Sequence, residues 1–348
     1  MDFSFSAEQI ELRDLARQIL TDRCPHDHLA EVAATGSATD LDLWRTLADA
    51  GLVGIGLPVS AGGGGYGWLE TAIVLAELGR AAAPVPGFAV MALAAPSLAG
   101  RPDLLDGVAA GSIIVTAAIH EPSGDPWAAS TTVDGGRLTG TKICVPHGLL
   151  ASRFVVTAAD GLYAVDAAAP GVTVERQDTT SGVPDARVTF DRALAERIGG
   201  PDAVADLLRR GASAAAVMVA GMTEVVLAMT ASYAVGRQQF GKPIAAFQAV
   251  SQRTGDAYID NEAVRLTAWQ AAWRLAEGLP ADEAILTAKF WAAEGGWRIV
   301  HAAHHIHAGV GVDRDYPLHR YFLAHKQLEL QLGSATPTLQ RLGRLLAG

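Results

Sequence analysis

The order of three segments with different residue patterns constrains the fold more than any other feature of this chain. Residues 1–110 carry apolar residues at helical spacing, beginning after a capping-box pattern at Ser6 and Gln9. Residues 111–200 contain short β-rich runs separated by Asp-Gly turns. Residues 201–348 return to long apolar helical patterns. We therefore expect an α+β chain with an N-terminal helical domain, a middle β-domain and a C-terminal four-helix bundle.

Apolar periodicity and turn residues place the individual elements. The helices are expected at 41–48, 69–78, 207–235, 259–276, 281–304 and 316–330. The strands are expected at 113–116, 137–145, 154–157, 162–165, 172–174 and 186–190. In the second long helix of the bundle, apolar residues recur every three or four positions from Ile259 through Leu266 to Trp273. This spacing predicts a stripe that is buried in the bundle.

Composition restricts the class of protein and its partners. Half of the 348 residues are hydrophobic and 18% are charged, which is typical of a packed globular chain. The formal net charge of −10, without a basic run, disfavours nucleic acid and anionic membranes as partners. Proline interrupts the apolar run at 81–100, and the run at 212–222 is too short to span a bilayer. We expect a soluble, cytoplasmic protein whose two cysteines are free thiols.

The most specific motif is Arg237-Gln238-Gln239-Phe240-Gly241-Lys242-Pro243-Ile244, followed by Phe247-Gln248. It lies between two long helical patterns. An arginine in this position can hold a pyrophosphate through a forked pair of charged hydrogen bonds. Phe240 can cover an aromatic ring, while Gly241 and Pro243 favour a turn. The alternative role for Arg237 is a charge at the C-terminus of a helix that complements the helix dipole.

This motif resembles the flavin-dinucleotide signature of the acyl-CoA dehydrogenase family, and other motifs resemble the same family in the same order. Glu121-Pro122 followed by Gly140-Thr141-Lys142 is similar to the flavin-facing part of the family's middle domain. Ile306-His307-Ala308-Gly309-Val310-Gly311 and Tyr316-Pro317 resemble the glycine turn before its last long helix. The resemblance covers nearly the whole chain. It implies the fold of that family, with FAD as the cofactor.

The resemblance also implies which residues contact the cofactor. In that family FAD lies between subunits, so this chain would contact mainly the ADP half of an FAD bound by its neighbour. The family usually has glutamine where this chain has His305. The residues implied as cofactor-binding are Arg237, Phe240, Gln248, His305, Gly309 and Ser334.

Two departures from the family concern the catalytic base. The family removes a proton with a glutamate directly before a glycine–threonine or glycine–serine pair, and Leu332 occupies that position here. Some members place the glutamate on the helix that leads to the Arg-x-x-Phe-Gly motif, where this chain has Gly211. Neither residue accepts a proton, so we expect no catalytic residue in this chain. Glu329, one helical turn before Leu332, is the alternative base.

The expected flavin-ring pocket is also altered. The family's Thr-Glu-Pro-Gly-x-Gly-Ser loop is replaced by the shorter run His120-Glu121-Pro122-Ser123-Gly124-Asp125-Pro126. The family's Trp-x-Thr contact is replaced by Cys144-Val145-Pro146. Pro146 has no backbone N–H, so one hydrogen bond to a flavin cannot form there. The chain therefore keeps the residues that reach a neighbour's FAD and lacks those that would hold its own.

The chain resembles most closely the short, base-less subunits of actinobacterial heteromeric acyl-CoA dehydrogenases that act on steroid side-chain CoA thioesters. Those enzymes contain two copies of each of two subunits (α2β2), with one FAD per heterodimer. The resemblance implies a longer, glutamate-bearing partner subunit, an acyl-CoA substrate and an electron-transfer flavoprotein as electron acceptor. Two alternatives stay open. One is a homo-oligomeric dehydrogenase with an unrecognised base, and the other is a non-catalytic acyl-CoA-binding or scaffold protein with the same fold.

A histidine cluster near the C-terminus allows a further interpretation. Residues four apart share a helix face, so His301, His304, His305 and His307 could hold a metal ion. No cysteine is near them, and Asp313 lies beyond a glycine turn. We therefore expect cofactor contact or packing rather than a metal site.

Overall fold

The computed structural model describes residues 4–122 and 124–348, so Ser123 of the altered flavin loop lies outside the described residues. The chain divides into two compact units. The first contains the residues up to Leu75 together with Pro84–Gly211, and the second contains Ala76–Ala83 and Ala212–Gly348. The three-domain division at residues 110 and 200 remains a prediction.

The N-terminal helices begin with the predicted capping box. The side chain of Ser6 accepts a hydrogen bond from the backbone N–H of Gln9, and the side chain of Gln9 accepts one from Ser6. The proline-interrupted run at 81–100 contains a buried π-helical segment, Phe88–Ala94. The α-helices in this part of the chain are α1 (Ala7–Arg23), α2 (His26–Ala34), α3 (Leu41–Asp49), α4 (Trp68–Arg80) and α5 (Ala95–Ser97).

The middle segment forms two four-stranded sheets. Its strands are β1 (Val115–Ala118), β2 (Thr132–Asp134), β3 (Arg137–Val145), β4 (Arg153–Ala158), β5 (Gly161–Asp166), β6 (Val172–Arg176), β7 (Ala186–Leu194) and β8 (Glu196–Gly199). One sheet has the order β1-β4-β5-β8, in which β1 and β4 are parallel, and the other has the antiparallel order β2-β3-β7-β6. Buried residues of both sheets form one core, where the rings of Phe154 and Phe190 meet edge-on. The sequence pattern missed only the short strands β2 and β8.

The C-terminal part contains the four predicted helices and one more. They are α6 (Pro201–Gly236), α7 (Gln248–Ala276), α8 (Asp282–His307), α9 (Leu318–Leu330) and the additional α10 (Ala335–Ala347), which packs against α8. By length and composition α6 could cross a membrane, since one 18-residue window has a mean hydropathy of 1.8. However, 61% of that window is buried inside the structure, as in the core helix of a bundle.

The predicted buried stripe of α7 is wrong. Ile259 and Leu266 are 67% and 57% exposed, whereas Val264 and Ala268 on another face are fully buried. The buried face carries small residues and packs against glycine on α8, since a Cβ added to Gly295 would lie 3.1 Å from Val264 Cγ2. Small residues let two helices approach closely. The larger side chains of α7 are therefore left on the outer face.

Another glycine brings neighbouring helices against the centre of α8. A Cβ added to Gly296 would lie 2.4 Å from Nε2 of His325 on α9 and 2.9 Å from Cγ1 of Val219 on α6. The ring of His325 is buried and its Nε2 lies 3.0 Å from the carbonyl oxygen of Ala292. This packing fixes the middle of α9, the helix that leads to the loop that contains Leu332.

Candidate functional site

The motif between α6 and α7 forms a hairpin. After α6 ends at Gly236, strands β9 (Gln238–Gln239) and β10 (Lys242–Pro243) pair antiparallel. The two residues between them, Phe240 and Gly241, have φ angles of 53° and 76°. Positive φ at both positions defines a type I′ turn. The predicted turn is therefore present, and it holds a phenylalanine in a backbone conformation that normally favours glycine.

The side chain of Phe240 projects from this hairpin into solvent. It is 91% exposed, and its ring meets the ring of Phe247 edge-on, with 6.1 Å between centroids. The ammonium group of Lys242 lies 4.5 Å from the centroid of the Phe247 ring, which is a cation–π contact. Exposure of a phenyl ring and a left-handed backbone both cost free energy in an isolated chain. We interpret the hairpin as a surface that another molecule covers.

The hairpin lies in a locally positive segment, although the chain is acidic overall. Residues 225–255 contain Arg237, Lys242 and Arg253 but no aspartate or glutamate. Helix α7 begins at Gln248, so its unpaired backbone N–H groups and the positive end of its dipole lie in the same segment. Cations beside a helix N-terminus form a suitable site for a pyrophosphate. These residues fit the ADP half of FAD, and their contact with it remains a prediction.

The second group of predicted cofactor residues lies at the end of α8. His305 and Gly309 are both exposed. Between them His307 is buried, with Nδ1 2.8 Å from the carbonyl oxygen of Ala303 and Nε2 3.1 Å from the hydroxyl of Tyr316. A neutral ring that donates from Nδ1 and accepts at Nε2 satisfies both contacts. Burial lowers the pKa of His307, which favours this neutral form.

An aromatic contact brings the two groups together. The ring of Tyr233 stacks on the ring of His307, with 4.3 Å between centroids and 25° between planes. Tyr233 lies one helical turn before Arg237, and its carbonyl accepts a hydrogen bond of 2.9 Å from the Arg237 backbone N–H. The stack therefore connects the end of α6 to the turn that carries His305 and Gly309. Tyr233 was not among the predicted site residues, because the ring that it contacts lies more than seventy residues later in the chain.

The position of the family's base is occupied by a buried, apolar residue. Leu332 is 4% exposed and has a φ angle of 62°. The loop around it is held by Lys289 of α8, whose ammonium donates to the carbonyls of Leu328, Glu329 and Gly333 at 3.3, 2.9 and 2.8 Å. The carbonyls of Leu328 and Glu329 lie at the C-terminus of α9, where a cation is favoured. Burial lowers the pKa of Lys289 to about 7, and Glu329 acts in the opposite direction.

The other two base candidates are Gly211 and Glu329. Gly211 is buried in α6 and has no side chain. The carboxylate of Glu329 is engaged in an ion pair, with 2.6 Å between its Oε2 and Nζ of Lys326.

Ser334, the last of the predicted cofactor residues, precedes α10 as its N-cap residue, but its side chain makes no capping hydrogen bond. Its predicted contact with FAD remains a prediction.

The residues that resemble the family's flavin-facing segment form part of the packed β-region. Glu121 Oε1 accepts hydrogen bonds from the ammonium of Lys142 at 2.8 Å and the hydroxyl of Thr131 at 2.7 Å. Burial opposes ionisation of Glu121, yet these bonds and those from Ser130 hold its pKa well below the usual value. The carbonyl of Pro146 accepts a hydrogen bond of 2.6 Å from Thr116. These groups bind one another, so this segment is structural.

Two further histidines of α8, His301 and His304, make packing contacts. The ring of His301 lies 4.2 Å from that of Trp297, and the ring of His304 lies 4.6 Å from that of Phe322, centroid to centroid. Within residues 4–122 and 124–348, no three histidine, cysteine or acidic side chains are placed to hold a metal ion. Both cysteines are free thiols.

Two family descriptions match this chain. They are the acyl-CoA dehydrogenase N-terminal domain over residues 6–102 and the acyl-CoA dehydrogenase C-terminal domain over residues 199–345. The chain belongs to the acyl-CoA dehydrogenase family. This membership confirms the predicted family and fold, and it supports FAD as the cofactor.

Several relatives are similar over the whole chain. The acyl-CoA dehydrogenase FadE27 of Mycobacterium tuberculosis is 41% identical, with 100% of this chain and 99% of the relative covered. A chain in the Tcur3481-Tcur3483 steroid ACAD G363A variant is 43% identical, with a TM-score of 0.92 and 98% of both chains covered. A chain in the ChsE4-ChsE5 complex from M. tuberculosis is 40% identical, with a TM-score of 0.94. The match covers 100% of the present chain and 99% of the chain in that complex.

Proposed function

We propose that this chain is the base-less subunit of a heteromeric, FAD-dependent acyl-CoA dehydrogenase. One observation carries the proposal: an exposed, positively charged hairpin suited to a dinucleotide occurs in a chain whose two base positions are Leu332 and Gly211. This chain offers a surface for the cofactor but no proton acceptor. Dehydrogenation therefore requires another chain that supplies the acceptor. The two similar structures named for pairs of proteins support this arrangement.

The proposed division of labour assigns binding to this chain. Arg237 and the N-terminus of α7 hold the pyrophosphate, and Phe240 covers the adenine side of the cofactor. Gln248, His305, Gly309 and Ser334 complete the contacts with the ADP half. The longer partner subunit carries the catalytic glutamate and most of the acyl-CoA site, in an α2β2 assembly. When bound, FAD supplies the hydride acceptor for α,β-dehydrogenation of the thioester.

The substrate and electron acceptor are proposed from the relatives. A CoA thioester with a steroid side chain is supported by the name of a similar structure, a steroid ACAD, at 43% identity. An electron-transfer flavoprotein is the proposed electron acceptor, as the family resemblance implies. A cytoplasmic location of the enzyme is also part of this proposal.

Coexpression tests the proposal. The chain is produced alone and together with a candidate longer, glutamate-bearing dehydrogenase, sought first in the adjacent reading frames, and the mass and flavin absorbance of each preparation are measured. We expect a colourless chain alone and a yellow complex of two copies of each subunit that is bleached by an acyl-CoA.

Other outcomes would contradict the heteromer. A chain that is yellow alone and bleached by an acyl-CoA would be a homo-oligomeric dehydrogenase with its own base. A chain that forms a complex with the partner but leaves the partner's flavin content unchanged would be a scaffold.

A further inference from the structure

A second candidate site lies within the first compact unit. A cavity of about 180 Å³ is lined by apolar side chains that include Val53, Leu57 and Met91, and by Thr71 and Arg210. A cavity of roughly 150 Å³ is large enough for a molecule the size of benzene. The proposed contacts with FAD use none of these residues, although Arg210 directly precedes Gly211, one of the two base positions.

Arg210 is the charged group of the cavity, and part of its hydrogen-bonding capacity is unused. Its Nη2 donates to the hydroxyl of Ser97 at 3.2 Å. Its Nε is buried and has no hydrogen-bond partner among the described atoms. An arginine remains charged in proteins, and a buried donor without an acceptor costs free energy. The cavity therefore favours a ligand with an acceptor for Nε, best supplied by an anion.

The other lining residues define the rest of the ligand. None of the described lining residues is acidic, and the carboxylate that acts on Arg210 is that of Asp206, one helical turn earlier and outside the lining. The hydroxyl of Thr71 already donates to the carbonyl of Gly67 at 3.2 Å. Val53, Leu57 and Met91 are at most 4% exposed and offer only apolar atoms or a thioether. Tyr66 lines the cavity and is 52% exposed, so the cavity opens to solvent beside it. A small ligand can enter there.

We propose that this cavity binds a small monocarboxylate with a compact, branched apolar body. The carboxylate accepts hydrogen bonds from the guanidinium of Arg210, which is a charge-assisted geometry that arginine favours. The hydrocarbon part packs against Val53, Leu57 and Met91. An intact acyl-CoA does not fit within the cavity, because its nucleotide is far larger than about 180 Å³.

Calorimetric titration of the full chain tests the ligand class. The probes are 2-methylpropanoate, its uncharged isostere 2-methylpropanamide, and inorganic phosphate, which has charge but no apolar body. We expect saturable binding of 2-methylpropanoate and at least tenfold weaker binding of the other two. Absence of saturable carboxylate binding, or equal binding of the amide, would overturn the proposal.

Variants assign the binding to the cavity. Arg210→Met is expected to weaken binding of 2-methylpropanoate at least tenfold. Arg210→Lys, which keeps the charge, is expected to weaken this binding less. Arg209→Met is the matched control, because Arg209 ion-pairs with Asp206 at 3.1 Å and does not line the cavity. Val53→Phe fills the cavity without changing Arg210 and is expected to abolish binding. Thermal unfolding checks that each variant is folded, and wild-type affinity in folded Arg210→Met or Val53→Phe would refute the site.

Discussion

The ring of Tyr233 stacks on the ring of His307, and this contact connects the last turn of α6 to the turn that follows α8. Both segments carry residues that we assign to the same FAD. The ring of His307 also reaches the hydroxyl of Tyr316, so three aromatic side chains support two groups of exposed cofactor residues. The stack keeps the exposed groups in one arrangement before the cofactor binds.

Removing the stack should weaken cofactor binding without removing any direct contact. For Tyr233→Leu we expect FAD retention by the complex to fall by up to about tenfold, since an aromatic pair contributes roughly 0.5–1.5 kcal/mol. The measurement is the FAD content of the complex after dialysis. Tyr258→Leu, at an exposed tyrosine of α7, is the matched control. Equal retention in the two variants would show that the stack does not position the site.

Arg237 provides the direct test of the proposed clamp. Arg237→Ala should lower FAD affinity of the complex by about tenfold or more, because a charge-assisted hydrogen bond contributes roughly 1.5–3 kcal/mol. Arg274→Ala is the control, since Arg274 lies in the last turn of α7, roughly 40 Å along that helix from Gln248. Fluorescence titration of the two complexes with FAD measures the difference, and unchanged affinity in Arg237→Ala would count against the assignment.

Restoring a carboxylate at the base position should not create an enzyme. Leu332→Glu places an ionisable group where a buried leucine lies, but the altered flavin loops and Pro146 remain. We expect no dehydrogenase turnover by this variant alone in a dye-reduction assay with an acyl-CoA. The complex with its partner serves as the positive control. Turnover by the isolated variant would mean that this chain holds a complete flavin site.

Lys289 should be a major determinant of stability in the second unit. Lys289→Met leaves one buried and two partly buried carbonyls without their shared donor, and we expect a loss of about 3 kcal/mol in the free energy of unfolding. Lys326→Met is the control, because its half-exposed ion pair with Glu329 should contribute less than about 1 kcal/mol. Urea unfolding measures both, and equal losses would contradict the capping role.

Two buried histidines should make the fold sensitive to acid. Burial lowers the pKa of both His147 and His325 to about 4, against about 6.5 for an ordinary histidine. Below pH 6.5 the unfolded chain therefore binds protons that the folded chain does not, so stability falls as the pH drops toward 4. Between pH 7 and 5 we expect a loss of about 2 kcal/mol per histidine.

Denaturant unfolding at pH 7, 6 and 5 measures this dependence. His147→Phe is the informative variant, because both ring nitrogens of His147 lack a hydrogen-bond partner among the described atoms. Between pH 7 and 5 the free energy of unfolding of His147→Phe should fall less than that of the wild type. Stability that stays constant from pH 7 to 5 would contradict the lowered pKa of both histidines.

The parts of the molecule that were predictable from sequence are those fixed by neighbouring residues. The Ser6 capping box, the long strands and the turn at Gly241 depend on local backbone preferences. The outer face of α7 was mispredicted, because apolar spacing alone cannot show whether large or small residues face the next helix.

The missed parts of the candidate site depend on residues distant in sequence. Lys289 meets its carbonyl acceptors about forty residues later in the chain, and Tyr233 meets His307 more than seventy residues later. Neither pairing has a local pattern that would reveal it. Glu121 and Lys142 were identified as family-like, but only their buried ion pair shows that they serve the packing of the β-region.

The type I′ turn at Phe240 has a consequence for the speed of assembly. The backbone of the turn already directs the phenyl group outward, so a second molecule that covers it does not have to order the backbone first. Encounter then requires no prior folding of a loop, and the nearby cations accelerate the approach of an anionic cofactor or subunit at low ionic strength. The strain stored at one residue thus prepares this chain to be recognised quickly.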